Sequence, residues 1–158
     1  MGFDLLVQPA TQECVRGGVF VRLSPMSDPS HKVERLHGKV VTGLGNFSYW
    51  MTLLGEQYEA KAGVKLFPGT LNVQLTEPWH VPRHRAIRLE KEEYGGRVSV
   101  SMVPWRIFDR AAFILRTDEN EAGGGHHALN IVEIAAEVKL RDAYSLVDGS
   151  EVSIEVDR

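Results

Sequence analysis

The chain has 158 residues, of which 43% are hydrophobic and 25% charged, with a formal net charge of −3 and one cysteine. That length is most simply one domain, able to bury about 70% of its unfolded surface unaided, and the mild negative charge excludes a general attraction for nucleic acid or anionic lipid. Cys14 alone allows neither an internal disulfide nor a thiolate zinc cluster, and with neither a signal-peptide pattern nor a run of about 18 apolar residues a cytoplasmic protein is expected.

Residues 1–37 read as an N-terminal extension holding one short strand, Gly18–Leu23, and a turn-rich loop, Ser24–Ser30. His31 and His37 flank a charged segment there and suit solvated surface better than metal, since no matching ligand spacing surrounds them. From Leu36 the pattern changes. Gly38–Thr42 can form a strand, Gly43–Gly45 a tight loop, and Ser48–Ala62 a helix with Tyr49, Trp50, Leu53, Leu54 and Tyr58 for one face, stopped by Gly63. Strand, glycine loop, helix is the order that turns backbone N–H groups and a helix N-terminus toward a phosphate. Without the Walker lysine and serine, two glycines also make an ordinary turn, and residue logic alone favours the turn.

Phe67–Leu75 combines a Pro68-Gly69 turn with a strand in which Leu71, Val73 and Leu75 alternate with Thr70, Asn72 and Gln74. Thr70 and Asn72 then sit side by side on one face. A hydroxyl and an amide oxygen suit a hard cation such as Mg²⁺, which keeps few protein ligands and fills its remaining positions with water and substrate phosphates. The commoner use of such a pattern is a half-buried strand whose polar residues face water.

Trp79–His84 reads as a loop, and Ala86–Leu89, Arg97–Val103 and Ala111–Leu115 as strands, the middle one alternating cleanly and the first two joined by a hairpin at Tyr94-Gly-Gly96. Thr117–Gly125 is acidic and ends in three glycines, the mark of a mobile surface loop, with His126-His127 as an exposed pair at its end. In Asn130–Ala136, Glu133 stands inside an apolar run, so it either points out of a sheet or is placed for a task. Lys139–Tyr144 suits a short helix, and Asp148-Gly149 turns the chain into a last strand, Glu151–Glu155. Many short strands without a βαβ rhythm predict a mainly β protein, a closed or nearly closed barrel with one or two short helices.

Gly38-Lys-Val-Val-Thr-Gly-Leu-Gly45, Phe67-Pro-Gly-Thr-Leu-Asn-Val73, Ile131-Val-Glu-Ile-Ala-Ala136, Lys139-Leu-Arg141 and Leu146-Val-Asp-Gly-Ser-Glu-Val152 follow one another in the order and approximate spacing of the archaeal-type CTP-dependent riboflavin kinases. The chain resembles that family from about Leu36 onward. The resemblance implies a six-stranded cradle-loop (RIFT-type) barrel over residues 38–158, with phosphoryl transfer from CTP to the riboflavin 5′-hydroxyl giving FMN and CDP; a monomer acting on small molecules is expected. It also implies roles. Gly38, Lys39, Val40, Val41, Thr42 and Gly43 would line the nucleotide, with Gly45 continuing the loop, and Lys139, Leu140, Arg141 and Asp142 would touch it. Thr70 and Asn72 would hold Mg²⁺, and Glu133 would lie at the flavin site as the candidate catalytic carboxylate. Such a set suffices for a reaction that needs mainly positioning and neutralised charge.

The chain departs from the family pattern in three places. Asn46-Phe47 stands where Glu-Gly is usual, and a phenylalanine there can narrow the approach to the phosphates. Gly125, ahead of His127-Ala128, occupies the place of a flavin-contacting threonine, which Thr117 can replace only if the loop folds back. Ala135-Ala136 replaces Ala-Pro. These changes keep open a barrel that binds flavin or nucleotide without catalysis, as a sensor or carrier, and a purely structural module that uses residues 1–37 for a partner.

Overall fold

Alternating apolar residues in seven short runs build the sheet of this computed structural model, which describes residues 33–157. The expected strand at Gly18–Leu23, Cys14 and His31 lie outside the described residues. The strands are β1 (Val33–Val41), β2 (Leu71–Leu75), β3 (Ile87–Leu89), β4 (Val100–Ile107), β5 (Arg110–Thr117), β6 (Ile131–Ala135) and β7 (Glu151–Asp157). Their order is β3-β4-β5-β6-β2-β1-β7, and β4 also pairs with β7. Six strands therefore close into an antiparallel barrel, while β3 pairs only along β4. β1 begins at Val33, so residues 33–37 are already in the sheet.

Two apolar clusters explain why the strands read as they do. Val40, Val73, Val103, Trp105, Ile114, Val132, Ile134 and Ile154 fill the barrel interior. Met102, Phe113, Leu115 and Ala135, their immediate neighbours in sequence, form a second cluster with Phe47, Met51, Tyr58 and Leu66. Successive strand residues point to opposite faces, so β4 to β6 are covered on both sides where two helices lie against the barrel. This accounts for the β4 run: Val100 to Val103 are all buried instead of alternating, and the strand starts three residues later than expected and continues to Ile107.

The single helix expected over Ser48–Ala62 is two, α1 (Asn46–Leu53) and α2 (Gly55–Ala62), separated at Leu54, whose φ of −109° leaves the helical region just ahead of Gly55. The break changes the buried face. Phe47, Met51 and Tyr58 are buried, at a spacing of four and seven residues, whereas Tyr49, Trp50 and Leu53 are exposed. The stop at Gly63 is as expected, with φ at +78° in the left-handed region.

The expected mobile loop at Thr117–Gly125 is ordered at its start. Thr117 ends β5 and its hydroxyl accepts from the Asn120 N–H at 3.1 Å, capping α3 (Asp118–Glu121). Arg116, with a buried side chain, ties the neighbouring backbone together: it donates to the carbonyls of Trp79, Leu129 and Ile131 and pairs with Glu121 at 3.2 Å. Trp79, expected in a loop, is buried beneath that guanidinium, its ring 5.0 Å away. The fourth helix is α4 (Leu140–Ala143). No described helix is long and apolar enough to cross a membrane.

Candidate functional site

β2 and β6 set the centre of the site through their register. Asn72 and Glu133 are Cα partners, as are Leu115 and Glu133 on the other side. Val132 and Ile134 point into the barrel, so Glu133 points outward, into the space beneath the helix pair. There its Oε1 accepts from Thr70 Oγ1 at 3.0 Å. A hydroxyl has one proton and two lone pairs; donating to Glu133 leaves Thr70 both lone pairs for another partner.

Two cavities meet at this contact. The smaller, about 410 Å³, is lined by Gly43, Gly45, Ser48, the Phe67–Asn72 turn and strand start, and Val138–Arg141. Gly45 is the N-cap of α1 with φ at +80° and carries no capping side chain, and Ser48 in the first turn donates to Pro68 O at 3.2 Å. A helix N-terminus and two cations, Lys139 and Arg141, thus border one hollow, an arrangement that favours an anion. The strand, glycine loop and helix order here frames a cavity, which residue logic alone did not favour. Gly43 is required by packing: a Cβ there would overlap the Asn72 amide.

Of the expected nucleotide residues, Gly43, Gly45, Lys139, Leu140 and Arg141 line this cavity. The rest are placed differently by the alternation of β1 and by local pairing. Val40 is fully buried in the barrel interior. Gly38 and Lys39 border a separate groove near Gln74 and Glu151, and Gly38 is explained by the approach of β2, since a Cβ would lie 2.5 Å from Gln74 O. Val41 and Thr42 act indirectly: Arg141 donates to Val41 O at 3.2 Å and to Asp148 at 2.5 Å, and Thr42 donates to Asp148 at 2.5 Å. Asp142 reaches back to Lys139 at 3.8 Å.

The larger cavity, about 540 Å³, lies between α1, Leu54 and Tyr58, residues 94–100 and residues 117–127, with Glu133 in its wall. Its character is mostly apolar and aromatic, supplied by Phe47, Trp50, Leu53, Tyr58 and Tyr94. Phe47 corrects an expectation: it is buried with Met51 and Leu66 and faces this cavity, not the phosphate-like one. Gly125 cannot take a side chain without displacing Asn120, whose amide occupies the Cβ position. Thr117 does line this cavity, and as a cap its oxygen accepts while its proton stays available.

His127 was missed by sequence reasoning. Expected as half of an exposed pair, it has a side chain only 11% exposed, with Nε2 at 3.4 Å from Glu133 Oε2, while His126 beside it is exposed. Tyr58 was assigned only to packing, yet it is buried and lines the same wall; burial, with Tyr94 and Glu133 nearby, pushes its phenol well above the usual range. Burial likewise pushes the Glu133 carboxyl up, against the opposing pull of His127 and the Thr70 hydroxyl. Nothing in the spacing of the polar residues announces these contacts.

The site also suits a cation bound with few protein charges. Thr70 and Asn72 line the same cavity, and among the described residues no group of three or more His, Cys, Asp and Glu side chains could hold a metal. Asn72 is 5% exposed, and its Nδ2 has no partner at hydrogen-bond geometry, although the amide lies close enough to Glu133 to help hold that carboxyl down. Turning the amide by 180° exchanges Nδ2 and Oδ1, so the open position accepts either a phosphate oxygen or a cation. The residues present fit a Mg²⁺ ion accompanied by phosphate.

The protein is thus a closed antiparallel barrel that carries a cation-bordered cavity and an apolar one on either side of a single carboxylate. The chain belongs to the family whose model, CTP-dep_RFKase, is described as "Domain of unknown function DUF120" and matches residues 40–156. Among its relatives, the protein named "Riboflavin kinase" of Methanocella arvoryzae is 38% identical over 126 residues, 75% of this chain and 55% of the relative. Proteins of the same name from Methanosarcina barkeri and Pyrobaculum arsenaticum are 33% identical over 149 residues and 34% over 131, covering 87% and 77% of this chain and 63% and 60% of theirs. The chain thus spans 55% to 63% of the length of these three relatives.

Proposed function

We propose that this chain is a CTP-dependent riboflavin kinase, transferring the γ-phosphoryl group of CTP to the riboflavin 5′-hydroxyl to give FMN and CDP. The observation that carries the reading is the meeting of two unlike cavities at the Thr70–Glu133 contact. Family membership and the name shared by the relatives support the substrate pair.

On this reading the smaller cavity takes the triphosphate. Lys139, Arg141 and the first turn of α1 hold its charge, and the backbone at Gly43 and Gly45 allows close approach. Thr70 and Asn72 would hold Mg²⁺, which when bound neutralises phosphate charge. The apolar walls of the larger cavity take the flavin ring and exclude water, and the ribityl chain runs toward Glu133. The acceptor oxygen bonds to the γ-phosphorus, the bond to the CDP oxygen breaks, and the hydroxyl proton passes to Glu133. Its raised pKa makes that carboxylate a more capable acceptor than an exposed one. The chain acts as a cytoplasmic monomer whose partners are CTP/CDP and riboflavin/FMN.

The test incubates the protein with riboflavin and Mg²⁺, adds CTP or ATP in parallel, and separates FMN from riboflavin chromatographically. FMN with CTP and little with ATP is the expected result. A folded protein that forms none with either overturns the reading, and flavin fluorescence quenching without CTP consumption replaces it with a binding role.

A further inference from the structure

The Glu133 carboxylate has a neighbour at each oxygen, a hydrogen bond at one and a longer ring contact at the other, from residues far apart in sequence. Thr70, in the turn before β2, donates to Oε1 at 3.0 Å, and His127, in the connection between α3 and β6, places Nε2 at 3.4 Å from Oε2. The terminal torsion of a glutamate is broad, so a carboxylate held at one oxygen can swing; held at both, it keeps one plane. Contacts of this kind are commonly long before a ligand binds and tighten in the complex. The connection that carries His127 is itself fixed, because Arg116 donates to Leu129 O at 3.1 Å and to Ile131 O at 3.0 Å. His127 also lines the larger cavity, beside Glu133.

We propose that His127 is a positioning residue for Glu133: its ring holds Oε2 so that Oε1 stays on Thr70 and the carboxylate faces the acceptor hydroxyl where the cavities meet. The proposal rests on the phosphoryl-transfer reading. His127 forms and breaks no bond in the reaction; it supplies an N–H at Nε2, which either the Nε2–H tautomer or the imidazolium carries. A glutamine amide offers an N–H at similar reach, whereas alanine offers none.

The experiment compares wild type, His127→Ala and His127→Gln for steady-state FMN formation, thermal midpoint and crystal structure. The alanine variant should lose about 10- to 100-fold in kcat, the range found when a supporting hydrogen-bond partner is removed, with KM for the nucleotide and the midpoint unchanged. The glutamine variant should recover most of the rate. Wild-type kcat in the alanine variant, or a glutamine variant as slow as alanine, overturns the proposal, as does a rate loss that only tracks a lowered midpoint. The structure of the alanine variant needs no turnover: Glu133 swung away from Thr70 supports the positioning role, and Glu133 unmoved overturns it. Absence of FMN formation by the wild type refutes the kinase reading and leaves this structural readout decisive.

Discussion

The two cavities are assembled from the chain in different ways. The smaller one is made mostly of three compact runs, residues 43–48, 67–72 and 138–141, each opening with or containing a turn, a glycine or a helix start, with Ile134 added from β6. The larger one takes side chains from one face of α1, from Tyr58 and from the end of β5, together with the loop runs 94–98 and 125–127. An anion-type cavity built largely of backbone leaves a local signature in glycines and turns. An apolar cavity built from the outer faces of distant elements leaves almost none, because each of its residues reads individually as ordinary core or surface.

Substitutions can break this comparison or sharpen it. The largest effect is expected at the junction. Thr70→Ala and Asn72→Ala should each lower Mg²⁺-dependent FMN formation by about 100-fold or more while circular dichroism stays unchanged; full activity in both removes the metal assignment. Arg116→Met tests the support of the larger cavity. It leaves the carbonyls of Trp79, Leu129 and Ile131 without their shared buried donor, at a cost of roughly 3 kcal/mol, to be read as a lower urea midpoint with unchanged m-value.

A paired test follows at smaller scale. Gly43→Ala drives a methyl group into the Asn72 amide and should raise KM for the nucleotide about tenfold, equivalent to about 1.4 kcal/mol, with KM for riboflavin unchanged. Trp50→Ala should do the reverse, a few-fold. If either variant moves both constants equally, the cavities are not separate subsites.

The smallest effect concerns Asp148, whose carboxyl is held below the usual aspartate range by hydrogen bonds from Thr42 and then Arg141. A depressed pKa means that the ionised form stabilises the fold. That contribution is present above the ordinary aspartate pKa and is lost as pH falls through the lowered value. Asp148→Asn should therefore melt slightly below wild type near neutral pH, the gap closing on acidification; a gap that persists at low pH would show that the charge is not its cause.

The same contrast accounts for what could be read from the chain. The barrel was legible because β2, β5, β6 and β7 are short apolar runs bounded by turn residues. That Thr70 and Asn72 share one face was legible because the Pro68-Gly69 turn fixes the strand phase. The break at Leu54 was not, since Gly55 inside a helical pattern is a weak signal, and missing it exchanged the buried Phe47 and Met51 for the exposed Tyr49 and Trp50. The four-residue capped turn at Thr117 was hidden by its acidic, glycine-ended composition. His127 was hidden for another reason: its partner Glu133 is on the following strand, and the connection between them is fixed by long-range bonds from Arg116, Trp79 and Leu75.

The closure of the barrel has a dynamic consequence. β4 and β5 are registered over eight residue pairs, but β4 and β7 over only two, Arg106 with Glu155 and Ile107 with Ile154. A seam so short should be the first part of the ladder to open, so amide hydrogens along it should exchange with solvent sooner than those between β2 and β6. None of these four residues lines either cavity of the site. An opening confined to that seam would leave the β2–β6 ladder, and with it the pairing of Asn72 and Glu133, in place.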